Sequence, residues 1–233
     1  MTQNVNKQQG IGLPEVMISL LLASLIIIAL MNHYISIKQH YSRLQSSVDD
    51  AMELQWAGDI IRDSIRQAGF TPCLNVEHLI TENLAAIEVD VDLKINRMSS
   101  RFNMVLNNSN PSRILLTSTT LLHDDRSVLI ADCYHAEVGR VLEVKHSSNG
   151  QMVVLANPLI FVYQPPVYVG EWVQERFFIR QSKGLFYQRD HTDELTPLVK
   201  NMLVKQTKNL VKVILVLKNG MDLELETRIR GVS

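Results

Sequence analysis

Glu15 poses the first chemical question in this chain. No residue from Val16 to Met31 is charged, and fourteen of those sixteen are apolar, the exceptions being Ser19 and Ser24. A carboxylate at the centre of a membrane-spanning helix costs on the order of 2.5 to 3.5 kcal/mol, less near an end, so a charge here calls for a partner. Other groups capable of chemistry are sparse. Cys73 and Cys133 stand 60 residues apart and belong to no C-x-x-C pair. The seven His form no ligand spacing with them, so neither a metal site nor a cofactor site is expected. His123-Asp124-Asp125 and Asp132-Cys133-Tyr134-His135 are close clusters, and turn or surface chemistry accounts for both. Asp90-x-Asp92 puts two carboxylates on one face of an alternating run, where a solvated sheet face explains them better than paired acid and base.

Enzymatic motifs are absent: there is no G-x-S-x-G, H-E-x-x-H, G-x-x-x-x-G-K-[ST] or G-x-G-x-x-G, and Gly10-Ile11-Gly12 precedes the apolar run instead of following a strand. The expectation is a chain that is not an enzyme. A net charge of -1 and a sequence pI near 6.7 exclude a strongly basic nucleic-acid scaffold, and 46% hydrophobic residues exclude a mostly disordered chain. Lys200, Lys205, Lys208 and Lys212 form a modest basic stretch without interleaved aromatics, which reads as solvated surface and leaves weak DNA contact open.

These residues need elements to position them. Residues 11–31 give about 31 Å of helix at 1.5 Å per residue, enough for a hydrocarbon core of roughly 30 Å. A cleaved secretory signal fits poorly, because the run exceeds the usual apolar length and passes through Met31, Asn32, His33, Tyr34 and Ile35 without a small-residue cleavage site. Gly and Pro are absent from Glu15 to Ala57, and helical periodicity outlives the apolar run. Leu44, Val48, Met52, Trp56 and Ile60 step by four, with Ala57, Ile61, Ile65 and Ala68 as a neighbouring row, so residues 32–70 read as an amphipathic half whose apolar face lies on a core. The steps of four do not sustain a coiled-coil repeat. Gly69 and Pro72 mark the stop.

Residues 71–233 change to short alternating runs broken by turn residues. Ile87 to Ile95, Val138 to Val144, Phe177 to Ile179 with Leu185 to Tyr187, and the last segment all alternate. Val211 to Leu217 and Leu223 to Thr227 flank Asn219-Gly220, which predicts a hairpin with a type I′ turn. Met98 to Ser112, with four Asn and four Ser, reads as a long surface loop. The predicted class is α+β, one long N-terminal helix packed on an antiparallel sheet.

Gly10-Ile11-Gly12-Leu13-Pro14-Glu15 ahead of an apolar run resembles the prepilin processing motif of type IV pilins and type II secretion pseudopilins. That motif has a Gly before the cut and a Glu five residues after it. The match makes residues 1–10 the leader and Ile11, where such proteins usually carry Phe, the first and N-methylated residue of the mature chain. Asp59-Ile60-Ile61-Arg62, Arg66-Gln67-Ala68-Gly69-Phe70 with Cys73, and Val128-Leu129-Ile130-Ala131-Asp132-Cys133 are similar to segments of the PilW family of minor pilins.

The resemblance implies a single-pass inner-membrane prepilin whose C-terminal domain lies in the periplasm. It further implies processing by a prepilin peptidase, packing of the N-terminal helix against other major and minor pilins, and a place priming or tipping a type IV pilus. A type II secretion pseudopilin is the alternative within that class; a membrane-anchored periplasmic enzyme or binding module is the alternative outside it. Cutting after Gly10 would free an α-amino group at Ile11, which a neighbouring subunit's Glu15 could pair with, so that Glu15 sets assembly register. In an oxidising periplasm Cys73 and Cys133 read as one disulfide, with two unpaired buried thiols as the alternative.

Overall fold

The computed structural model describes residues 12–117, 119–147, 150–181 and 183–231; Gly10 and Ile11 lie outside them. One helix, α1 (Leu13–Arg66), runs 54 residues without a break. Pro14 sits in its first turn, where its missing N–H has no intrahelical partner to lose. At the other end Gly69 takes φ +68° and the chain leaves the helix. A Cβ at Gly69 would overlap Asn75 Oδ1 and lie 2.7 Å from Ala86 Cβ, so both conformation and space demand glycine there.

The chain divides into two compact units, Met1–Met52 and Glu53–Ser233. The first contains the apolar half of α1, whose most hydrophobic 18-residue window has a mean hydropathy of 2.4 and no buried residue; it is long and apolar enough to cross a membrane. In the second unit α1 buries Ala57, Gly58, Ile61, Ser64 and Ile65. The expected core row Leu44, Val48, Met52 and Trp56 is exposed throughout, and only Ile60 of that series is partly buried. Positions four apart advance 400°, so a row drifts about 40° per step around a helix of 3.6 residues per turn, and a five-residue row cannot all face one sheet. Ala57, Ile61 and Ile65 take only two steps of four, a drift of about 80° that keeps all three on the core, and Ala68 is buried in the turn just past the helix end.

Thirteen strands are described: β1 (Ile80–Thr81), β2 (Ile87–Val89), β3 (Leu93–Asn110), β4 (Arg113–Leu116), β5 (Ser127–Ala131), β6 (His135–Ser147), β7 (Gly150–Leu155), β8 (Tyr168–Arg180), β9 (Gly184–Gln188), β10 (Thr192–Thr196), β11 (Val199–Thr207), β12 (Leu210–Leu217) and β13 (Asp222–Arg228). The first ten form one sheet and the last three another, giving an α+β chain with antiparallel pairing everywhere except β1 on β6. In the larger sheet β3 pairs β8 through Leu93 to Met104 and then β4 through Val105 to Asn110. The pairings β3-β8-β5-β6-β7-β4-β3 therefore close on themselves, and a closed path protects strand edges from adventitious pairing. Ile114, Val128, Ile130, Val141, Val153 and Val169 make a core among these strands.

Three expectations are corrected here. Met98 to Ser112 is mostly strand: β3 is 18 residues long, paired on changing partners with register shifts at Met98/Phe102 and Val105/Asn107. Its polar residues are accommodated individually. Asn103, fully buried, donates to Thr120 O at 2.7 Å and accepts from Thr120 N at 2.8 Å. Ile87 to Ile95 is a β2–β3 hairpin, not a single strand; Val89 pairs with Leu93 and the turn falls on Asp90, Val91 and Asp92. Asp92 is thus free to bind Arg176 across the sheet, at 2.7 Å from Nε. The β12–β13 hairpin stands, but its turn differs. Gly220 N donates to Leu217 O at 3.1 Å and Gly220 alone has positive φ, +85°, which is a type I turn closed by a left-handed glycine.

The largest core gathers the helix and both sheets: Ala57, Ile61, Ile65 and Ala68 meet Leu93, Ile95, Phe177 and Leu185 of one sheet and Val211, Val213, Leu215 and Leu225 of the other. Ile61 and Ile65, neither with any exposed surface, are the largest side chains the helix contributes to that row. Ile61→Ala should destabilise the chain by about 2 to 5 kcal/mol, whereas Met52→Ala, on the exposed face, should stay within about 0.5 kcal/mol. Denaturant melts of the two variants, followed by far-ultraviolet circular dichroism, would check the contrast.

Candidate functional site

Of the residues singled out by sequence, Gly10 and Ile11 lie outside the described residues and Glu15 lies in the first turn of α1. Its N–H donates to Gly12 O at 2.9 Å, and the positive end of the helix dipole favours its carboxylate. Both hydroxyls of the apolar run are satisfied inside the helix: Ser19 Oγ donates to Glu15 O and Ser24 Oγ to Leu21 O, each at 2.8 Å. Glu15 is consequently the polar side chain of this stretch that no described residue partners.

Cys73 and Cys133 are brought together as a disulfide, with Cα atoms 5.3 Å apart, within the usual range for a bridge. Asp132 builds the side that carries Cys133. Its carboxylate is fully buried and accepts three backbone N–H groups: Tyr134 at 2.7 Å, His135 at 2.6 Å and Gln164 at 2.8 Å. Burial pushes this carboxyl up, but the three donated N–H bonds outweigh it and hold the group below the ordinary carboxylate range. Asp132-Cys133-Tyr134-His135 is therefore a turn, as its composition suggested, with a buried anchor that composition alone does not show. On the other side Asn75 fastens the segment that carries Cys73. Its Nδ2 donates to Ala68 O at 2.8 Å and to Arg230 O at 3.0 Å, while its Oδ1 accepts from Glu77 N at 3.1 Å. The β1–β6 pairing, led by Ile80 N to Tyr134 O at 2.7 Å, runs beside the bridge. Cys73 and Cys133 thus join the segment leaving α1 to the β5–β6 turn.

A second polar cluster escaped the sequence reading. Arg97 on β3 and Glu175 on β8 form an ion pair at 2.8 Å with side chains 11% and 3% exposed. Burial, and then the charge of Glu175, push the Tyr187 hydroxyl up to about 12. Arg97 falls between Ile95, where the alternating run ends, and Met98, where the loop composition begins, so neither pattern covers it. Glu137 is likewise buried, accepting from Tyr163 Oη at 2.9 Å and Ile160 N at 3.0 Å.

The lysine stretch is local surface. Lys200, Lys205 and Lys208 are exposed, and Lys212 is held by Glu224 at 2.6 Å and Glu226 at 3.9 Å. Among the described residues no group of three or more His, Cys, Asp or Glu is placed to hold a metal ion. No protein-family model, curated protein or solved structure matches the chain.

Three measurements bear on the bridge and its anchor. Closing a loop of this length stabilises by about 4 kcal/mol in the chain-entropy model, so Cys73→Ser/Cys133→Ser should lower the melting temperature by several degrees without loss of sheet signal. Thiol labelling of unreduced protein should modify neither cysteine. Asp132→Asn replaces an acceptor with a group that must present its NH2 to one of three N–H donors, at a cost of about 1 to 3 kcal/mol near pH 7. Because the folded carboxyl titrates below its unfolded value of about 3.9, its contribution is present above that pH and is lost as the pH falls through the folded value. The stability gap between parent and Asp132→Asn should accordingly shrink below about pH 4, which urea melts between neutral and acid pH would register.

Proposed function

We propose that this chain is a minor prepilin, a structural subunit that primes, assembles or tips a type IV pilus after removal of its ten-residue leader. The observation that carries the reading is Glu15: a carboxylate in the first turn of a helix that then runs uncharged to Lys38, partnered by no described residue and placed five residues after Gly10. An amine created at Ile11 by cleavage supplies the missing countercharge from a neighbouring subunit. In the low dielectric of packed helices such a pair works as a register device, because an unpaired charge is heavily penalised there. The apolar half of α1, long enough to cross a bilayer, supports an inner-membrane precursor. The disulfide supports an oxidising compartment for the folded unit. Chemistry is assigned to no residue in this reading: the chain works by packing.

Cleavage and assembly are separable. Gly10→Ala should leave the leader in place, so that the membrane-fraction band stays at the longer length on a gel. Glu15→Ala should insert normally, since an apolar residue suits the bilayer better, and yet be missing from sheared fibres. Recovery of Glu15→Ala in fibres at the parental level would remove the charge-register argument.

A further inference from the structure

A cavity of about 510 Å3 opens at the C-terminal end of α1, between the segment that carries Cys73 and the last described residues of the chain. That volume falls in the range of sites that take small organic groups, about 300 to 1,000 Å3. Its walls include Phe70 and Leu74, large apolar side chains left 36% and 44% exposed. Arg66 and Arg230 line it as well. Among the described residues neither guanidinium has a carboxylate partner, and the two line the same cavity. Asp63, the carboxylate in the same lining, accepts from Gln67 Nε2 at 2.8 Å and leaves the lining with a net positive charge.

A basic residue at a helix C-terminus ordinarily serves the open carbonyls of the last turn. Here those carbonyls are met by other groups. Ile65 O accepts from Ala68 N at 3.1 Å, Arg66 O from Arg230 N at 3.3 Å, Gln67 O from Phe70 N at 3.1 Å and Ala68 O from Asn75 Nδ2 at 2.8 Å. Neither arginine side chain is therefore needed to finish the helix. Two forked donors without acceptors among the described residues, beside an apolar wall, are complementary to a carboxylate carried on apolar surroundings. The wall is also fixed in advance, by the disulfide at Cys73 and by the three hydrogen bonds of Asn75, which lowers the ordering cost of binding.

We propose that this cavity docks an acidic side chain flanked by apolar residues, presented by a partner polypeptide. The carboxylate lies between Arg66 and Arg230, and its apolar neighbours cover Phe70 and Leu74. The proposal is independent of the pilus reading, because it uses only residues of the Glu53–Ser233 unit.

The test uses the full chain in nanodiscs of zwitterionic lipid, with two fluorescein-labelled peptides that differ only in a central Leu-Glu-Phe or Leu-Gln-Phe. The Glu peptide should bind saturably by fluorescence anisotropy, with the Gln peptide weaker by at least about tenfold, the discrimination one charged hydrogen bond supplies. Arg66→Gln/Arg230→Gln should abolish that discrimination while leaving the melting temperature and the disulfide unchanged, since neither side chain holds a hydrogen bond among the described residues. Leu74→Asp should weaken both peptides. Equal affinity for the two peptides, discrimination that survives the double variant, or absence of saturable peptide binding would each overturn the proposal. Saturable binding of decanoate but of neither peptide would do so too, by assigning the cavity to a free amphipathic anion.

Discussion

The two sheets of the Glu53–Ser233 unit meet in one core through a stripe that runs along the end of α1 and just past it. Ala57, Ile61, Ile65 and Ala68 are almost without exposed surface and stand in a single apolar cluster with residues of both sheets. The three-stranded sheet buries Val211, Val213, Leu215 and Leu225 on one face and exposes Lys205, Glu224 and Glu226 on the other. An apolar sheet face contributes its burial only when another element covers it. The stripe provides that cover, and burial at about 25 cal/mol per Å2 of apolar surface is the driving term. Two alanines in the stripe let backbone and sheet approach closely, while two isoleucines fill the volume between; a bulkier pair would force strain into a core of crystal-like density.

Such a stripe works only if the chain leaves the helix at a defined point, and the exit is over-determined. Gly69 adopts a left-handed conformation in a space where a side chain would overlap Asn75. Asn75 in turn holds Ala68, Glu77 and Arg230, so one buried side chain ties the helix end, the following turn and the C-terminal segment. The disulfide then fastens this exit to the β5–β6 turn, whose conformation rests on the three N–H bonds to Asp132. Each device is modest alone. Together they fix a helix end that in isolation would fray, and they shape the wall of the cavity beside it.

What could be read in the sequence was what depends on local pattern. The long helix follows from the absence of Gly and Pro between Glu15 and Ala57, the stop from Gly69, the terminal hairpin from alternation around Asn219-Gly220. The two cysteines could be paired because no other thiol competed. What could not be read depends on pairing between distant segments. β3 carries a loop composition over Met98 to Ser112, yet β8 and β4 take its backbone hydrogen bonds in succession and override the local preference. Asp90 and Asp92 interrupt an alternating run that looked like one strand, because two turn-forming residues outweigh a single intervening Val91 that is itself exposed. Choosing between two four-step rows on α1 required knowing where the sheet begins. The Arg97–Glu175 pair joins positions 78 residues apart, a relation no spacing rule reaches.

The treatment of charge within the folded unit gives the unpartnered Glu15 its weight. Among the described residues three carboxylates are buried there, and each is answered inside the chain: Glu175 by Arg97 at one oxygen, Glu137 by Tyr163 and the Ile160 N–H, Asp132 by three backbone donors. This is the ordinary rule that a charge removed from water must be paired or fully hydrogen-bonded. Ser19 and Ser24 obey the same rule on the apolar helix by donating to their own carbonyls. Glu15 has the N-terminal end of the helix dipole but no counterion among the described residues, and the dipole contributes only about 0.3 to 1 kcal/mol at an exposed site. In the proposed assembly that shortfall is the function. A subunit whose carboxylate is satisfied within its own chain would have no electrostatic reason to prefer one axial position among helices that are otherwise uniformly apolar, since lipid and neighbouring helix present the same surface to Leu and Ile. An unsatisfied one prefers the single register that brings it to a neighbour's amine.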